Sequence, residues 1–208
     1  MPENNTTVYI VDDDDAVRQS LASLLELEGY DVREYETAGA FLSDVNASTV
    51  GVLLLDIRLP DINGLEVQAK LVEMASKLAV IVITGHGDVP MAVQAMQAGA
   101  INFIEKPFIG DVLVDSVRAA ETEMQQSGTD SKEQQDIRAR LELLAPRELD
   151  VFRHLVIGRQ NKVIAYELGI SPRTVEVYRA RLMGKMQANS LSHLVRMALS
   201  IGLDTDGI

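Results

Sequence analysis

Four short apolar runs punctuate the first half of this chain: Val8–Val11, Val52–Leu55, Val80–Ile83 and Ile101–Ile104. Segments of helix length separate them. Near-continuous apolar runs, broken here only by Asn102, are what strands buried on both faces of a parallel sheet require, as opposed to alternating ones. A fifth strand is predicted near Val32–Tyr35. Helices are predicted over about 15–28, 38–45, 65–75, 89–98 and 109–122. The first carries Val17, Leu21, Leu24 and Leu25 on one face, with Asp15 as its N-cap and Gly29 as its stop. This alternation predicts an α/β doubly wound five-stranded sheet.

In an open α/β sheet, ligands bind beyond the carboxyl ends of the strands. Asp12, Asp13, Asp56, Thr84 and Lys106 all lie at or just after such ends. The strand pattern therefore gathers three carboxylates, a hydroxyl and an ammonium into one crevice. Mg²⁺ is a hard cation that prefers oxygen ligands and is usually held by one or two carboxylates. Two of the aspartates suit that role while a third accepts a phosphoryl group. Lys106 pairs with the phosphoryl group as a point charge, and Thr84 donates its hydroxyl. The run Asp12–Asp15 alone reads equally well as a helix N-terminus. His86 has no Cys or His neighbour at metal-ligand spacing and reads as a loop histidine.

The second half has no strand pattern. Helices are predicted over Pro146–Ile157, Asn161–Leu168, Pro172–Met186 and Leu191–Ile201, with Gly158 and Gly169 as stops and Ser171-Pro172 as an N-cap followed by Pro. The Gly-Ile-Ser link at 169–171 has the length of a helix-turn-helix turn. Charge divides along the chain. Residues 1–122 hold 7 Lys+Arg against 20 Asp+Glu, and residues 141–208 hold 9 against 7. A locally basic segment in an acidic chain points to nucleic acid. On the third helix, Val175, Tyr178, Leu182 and Met186 share a face and are expected inside. Arg173, Glu176, Val177, Ala180, Arg181 and Gly184 lie opposite, a flat surface able to enter a major groove. Arg173 and Arg181 reach bases or phosphates, and Lys162, Arg179 and Lys185 suit phosphate contacts. The chain has no cysteine. Its first residues have neither a basic region nor an apolar run of signal-peptide length, and no stretch reaches membrane-spanning length. A cytoplasmic location with no membrane partner is expected.

Val11–Asp14, Leu53–Gly64, Ile83–Asp88 and Phe103–Phe108 together resemble a two-component receiver domain, over about 6–122. Pro146–Met186 resembles a LuxR-type helix-turn-helix domain, over about 141–203. The order of the two, with Ile170–Ala180 and Thr84–Val93, is similar to FixJ-type response regulators. The resemblance implies a receiver over 1–122 with strand order 2-1-3-4-5, a linker at 123–140 with possible helical turns, and a DNA-binding domain over 141–208. It implies that Asp56 is phosphorylated by a sensor histidine kinase. It places Mg²⁺ on Asp12, Asp13, Asp56 and the Arg58 backbone carbonyl, a cis peptide at Lys106-Pro107, and a switch made by Thr84 and Phe103. Homodimerisation through the fourth helix and fifth strand, promoter DNA read with Thr174 among the contacts, and activation through RNA polymerase follow from the same resemblance. Ala145 stands where the family usually has Ser or Thr, so a helix cap is expected to be missing; Gln160 replaces a usual Ser. A Mg²⁺-dependent phosphohydrolase is the enzymatic alternative. It is disfavoured by Arg58, which stands where such an enzyme often carries an Asp as general acid. A phosphate-independent DNA binder is a third reading, disfavoured by the five intact positions.

Overall fold

A computed structural model of the protein describes residues 6–85, 89–125 and 130–203. The chain forms two compact units, Met1–Ser127 and Gly128–Ile208. In the first, β1 (Thr7–Val11), β2 (Asp31–Tyr35), β3 (Val50–Asp56), β4 (Lys77–Thr84) and β5 (Asn102–Glu105) alternate with α1 (Asp15–Leu27), α2 (Ala38–Asp44), α3 (Gly64–Glu73), α4 (Val89–Gln97) and α5 (Gly110–Gln125). The sheet is parallel, in the order β2-β1-β3-β4-β5. Val8 lies opposite Val52, and Val52 opposite Ala79. Ile10, Leu53, Leu54, Leu55 and Ile81 are fully buried, as strands covered on both faces must be.

β3 and β4 extend beyond the apolar runs that announce them, because Val50 and Lys77 pair at their exposed starts. The expected cap of α1 is corrected by one residue. Asp14, not Asp15, is the N-cap: its backbone is extended, and its Oδ1 accepts from the N–H of Ala16 at 2.9 Å and of Val17 at 3.2 Å. Asp15 is already helical and instead pairs with Arg18. The buried face of α1 is correspondingly Arg18, Leu21, Ala22 and Leu25, with Val17 and Leu24 only partly covered.

The second unit contains α6 (Asp130–Glu142), α7 (Pro146–Val156), α8 (Asn161–Leu168), α9 (Pro172–Met186) and α10 (Leu191–Ser200). Residues expected to be linker thus lie in the last turn of α5 and in α6, while 126–129 fall outside the described residues. α6 is part of this unit's core: Ile137 is buried with Val151, Phe152, Leu155, Val175, Leu182 and Leu194. Ser171 caps α9, accepting from the N–H of Thr174 at 3.1 Å. Gly169 makes the preceding turn at φ 66°, a left-handed conformation that glycine adopts without a Cβ clash.

Candidate functional site: an acidic crevice and a basic helix

The carboxyl ends of β1, β3, β4 and β5 lie on one edge of the sheet, so the residues that follow them converge. Asp12 and Asp56 are buried and Asp13 is exposed; one oxygen from each lies within 4.8 Å of the others. Lys106 spans the crevice. Its Nζ donates to Asp12 Oδ2 at 2.7 Å and to Asp56 Oδ2 at 2.9 Å. Burial pushes the Asp12 carboxyl above its ordinary value, against the pull of Lys106. Burial works to lower Lys106, yet its hydrogen bonds to the two carboxylates win and hold the ammonium above its ordinary value. Arg58 contributes its backbone N–H to Asp56 Oδ1 at 3.2 Å.

Thr84 and Phe103, the two residues expected to form a switch, sit on neighbouring strands. Thr84 is fully buried at the end of β4, its hydroxyl donating to the Gly85 carbonyl at 3.3 Å. Phe103 is buried in β5 opposite Val82. The Lys106-Pro107 peptide is cis. His86 lies outside the described residues.

Three supporting residues escape a reading of the sequence. Arg18, buried on α1, donates from Nη1 to the Asp12 backbone carbonyl at 2.7 Å and from Nη2 to Asp15 at 2.6 Å. It braces the turn carrying two of the aspartates. Its spacing of three from Asp15 is the available signal. Gly64 lies against the backbone of Asp56: a Cβ there would stand 2.5 Å from the Asp56 carbonyl oxygen and 2.9 Å from Ile57 Cα. Asp61 accepts from the N–H groups of Ala38 and Gly39 at the start of α2, at 3.2 and 2.8 Å, which holds its carboxyl below its ordinary value.

In the helical unit, α9 turns Val175, Leu182 and Met186 into the core, with Tyr178 only partly covered. Arg173, Glu176, Val177, Ala180, Arg181 and Gly184 are exposed on the other side, and Thr174 and Arg179 lie half-buried at its edge. Lys162 is exposed on α8. Lys185 behaves differently: its Nζ donates to buried Glu148 at 2.6 Å and to the Leu143 carbonyl at 3.1 Å.

Residues 8–118 match the response regulator receiver domain. This chain belongs to the response regulators. Residues 142–198 match the bacterial regulatory proteins of the luxR family. The response regulator is 50% identical over 196 residues to the transcriptional regulatory protein FixJ of Rhizobium meliloti (strain 1021), covering 94% of this chain and 96% of that one. It is 40% identical over 197 residues to the response regulator protein TodT of Pseudomonas putida, covering 95% and 87%. Its structure is similar to that of full-length FixJ from B. japonicum, with a TM-score of 0.57, 43% identity, and 96% and 98% of the chains covered. It is thus a receiver joined to a LuxR-type DNA-binding domain, a regulator of transcription of the FixJ type. No helix among the described residues is long and apolar enough to cross a membrane.

The crevice fits the Mg²⁺ of receiver domains. Its three carboxylates are hard oxygen donors, close enough to share one octahedral ion with phosphate and water.

Proposed function

We propose that this response regulator is a phosphorylation-switched activator of transcription. A sensor histidine kinase donates the phosphoryl group. An Asp56 carboxylate oxygen attacks phosphorus, the P–N bond breaks, and its electron pair stays on the imidazole. Bound Mg²⁺, held by Asp12, Asp13, Asp56 and the Arg58 carbonyl, would neutralise phosphoryl oxygens. The observation that carries this reading is the Lys106 bridge: an ammonium already held between the acceptor and a second carboxylate. When Asp56 is phosphorylated, Lys106 moves its hydrogen bond from the carboxylate to the phosphoryl group. Catalysis here is positioning and electrostatics.

The Thr84 hydroxyl turns from the Gly85 carbonyl to the phosphoryl group, and Phe103 fills the space vacated. That shift favours a homodimer through α4 and β5. Moving such an equilibrium from 1:99 to 99:1 takes about 5.5 kcal/mol of differential binding. The dimer binds promoter DNA and contacts RNA polymerase. Arg173, Thr174, Glu176, Val177, Ala180 and Arg181 face the groove, with Lys162 and Arg179 on phosphates. Arg58 stands where a phosphohydrolase often carries its general acid, which weighs against the enzymatic alternative.

Light scattering after size exclusion, with and without beryllofluoride and Mg²⁺, tests the switch. Wild type should double its molar mass on addition of beryllofluoride, and Asp56→Asn should not. An unchanged mass in wild type, with beryllofluoride shown to be bound, rejects the α4–β5 dimer.

A further inference from the structure

The last turn of α9 is fastened to the connection between α6 and α7 from both directions. From α9, Lys185 donates to the Leu143 carbonyl at 3.1 Å and to Glu148 at 2.6 Å, and Glu148 is almost fully buried. Glu148 in turn accepts from the Ala145 N–H at 2.8 Å. From α6, Arg140 donates from Nη1 to the carbonyl of Met186, the last residue of α9, at 3.3 Å. That carbonyl is among the four that a helix C-terminus leaves without an intrahelical partner, and a cation there also meets the negative end of the helix dipole. Met186 itself is fully buried. A neighbouring residue of α6, Arg138, does the same for α10, donating to the Ile201 carbonyl at 2.8 Å.

We propose that Arg140 and Lys185 are positioning residues for DNA recognition, which set the angle of α9 from its C-terminal end, and that Lys185 contacts no phosphate. The inference rests on the DNA-binding reading above. It assigns α6 to the DNA-binding unit, upstream of the residues 142–198 that carry the family resemblance. The Lys185 side chain is 39% exposed, but its charge is already offset by the Glu148 carboxylate and two of its three N–H groups are taken, so it has little charge left with which to release counterions from DNA. A helix that presents Arg173 and Arg181 to base edges loses discrimination when it tilts, while its nonspecific electrostatic attraction survives.

The test uses the full chain with beryllofluoride and Mg²⁺. Two probes are needed: a duplex selected from a random library by the wild-type protein, and an unselected duplex. Lys185→Met and Arg140→Met should each weaken binding to the selected duplex about tenfold and leave the unselected duplex unchanged, about 1.4 kcal/mol of discrimination. The slope of log K against log salt should stay at the wild-type value, because no phosphate contact is removed. Arg140→Lys should restore binding. Lys162→Met, as the contrasting phosphate contact, should weaken both duplexes and reduce the slope by about 1. The proposal is overturned if Lys185→Met reduces the slope in the same way, or if discrimination is unaffected. Equal losses on both duplexes, in step with lowered melting temperature, would also overturn it by leaving only a stabilising role. Should Lys185→Met not fold, the same pattern in Arg140→Met and Arg140→Lys decides. A wild type that selects no sequence rejects the DNA-binding reading itself.

Discussion

Absence of a methyl group at position 64 decides how closely the turn after Asp56 folds back on the proposed acceptor. Gly64 begins α3 with Asn63 as its cap, and its N–H donates to the Ile57 carbonyl at 2.9 Å. The atoms a Cβ would meet are backbone, which has no flexible end to swing away. Gly64→Ala should therefore displace the Asp56–Arg58 segment that carries the proposed acceptor. A displacement near 1 Å costs on the order of 100-fold in rate when positioning is the main source of catalysis. Phosphorylation by acetyl phosphate, followed by loss of acceptor activity against time, measures it. A wild-type rate would show that the loop relaxes freely. The Asn-Gly pair is visible in the sequence as a turn, but its backbone contact is not, since that depends on the loop returning to β3.

At the scale of elements, the helices whose ends are marked by small polar residues or glycine are legible from the sequence. Ser171-Pro172 starts α9 and Gly169 ends α8 as expected. The start of α1 is less legible because four consecutive aspartates offer equivalent caps, and only the backbone turn selects Asp14. Arg18 is hard to read as a buried residue because its spacing from Asp15 suggests an ordinary surface pair, whereas the guanidinium goes inside only because the turn after β1 also brings the Asp12 carbonyl to it. α6 is partly legible: its polar composition suggests linker, and among its described residues Ile137 and Leu141 reveal that it covers a core. At α7, Ala145 supplies no side-chain acceptor, as its sequence predicts, yet Glu148 still takes the Ala145 N–H. One half of a reciprocal cap is therefore present and the other missing. Ala145→Ser supplies the missing acceptor and should stabilise the helical unit by about 1 kcal/mol. Thermal melting monitored by circular dichroism checks this, and no gain would mean that Glu148 already suffices.

For the whole molecule, the helical unit should lose stability in acid. Hydrogen bonding to Lys185, and next to the Ala145 N–H, holds Glu148 below its ordinary value of 4.5. The unfolded chain takes up that proton first, so the stabilisation is complete above pH 4.5 and is lost as pH falls through the lower native value. The melting temperature of the helical unit should fall on acidification below that point. Glu148→Gln should flatten the fall, and an unaltered pH slope would remove Glu148 as its source. The fastening of α9 to α6 has a further bearing on how such proteins are recombined. If receivers and DNA-binding units are exchanged like cassettes, a seam cut at residue 141 leaves Arg138, Arg140 and Ile137 on the wrong fragment. The transplanted reader would then carry exposed carbonyls at the ends of two helices and a gap in its core. The usable splice lies before Asp130, so the segment that looks like a tether travels with the cargo.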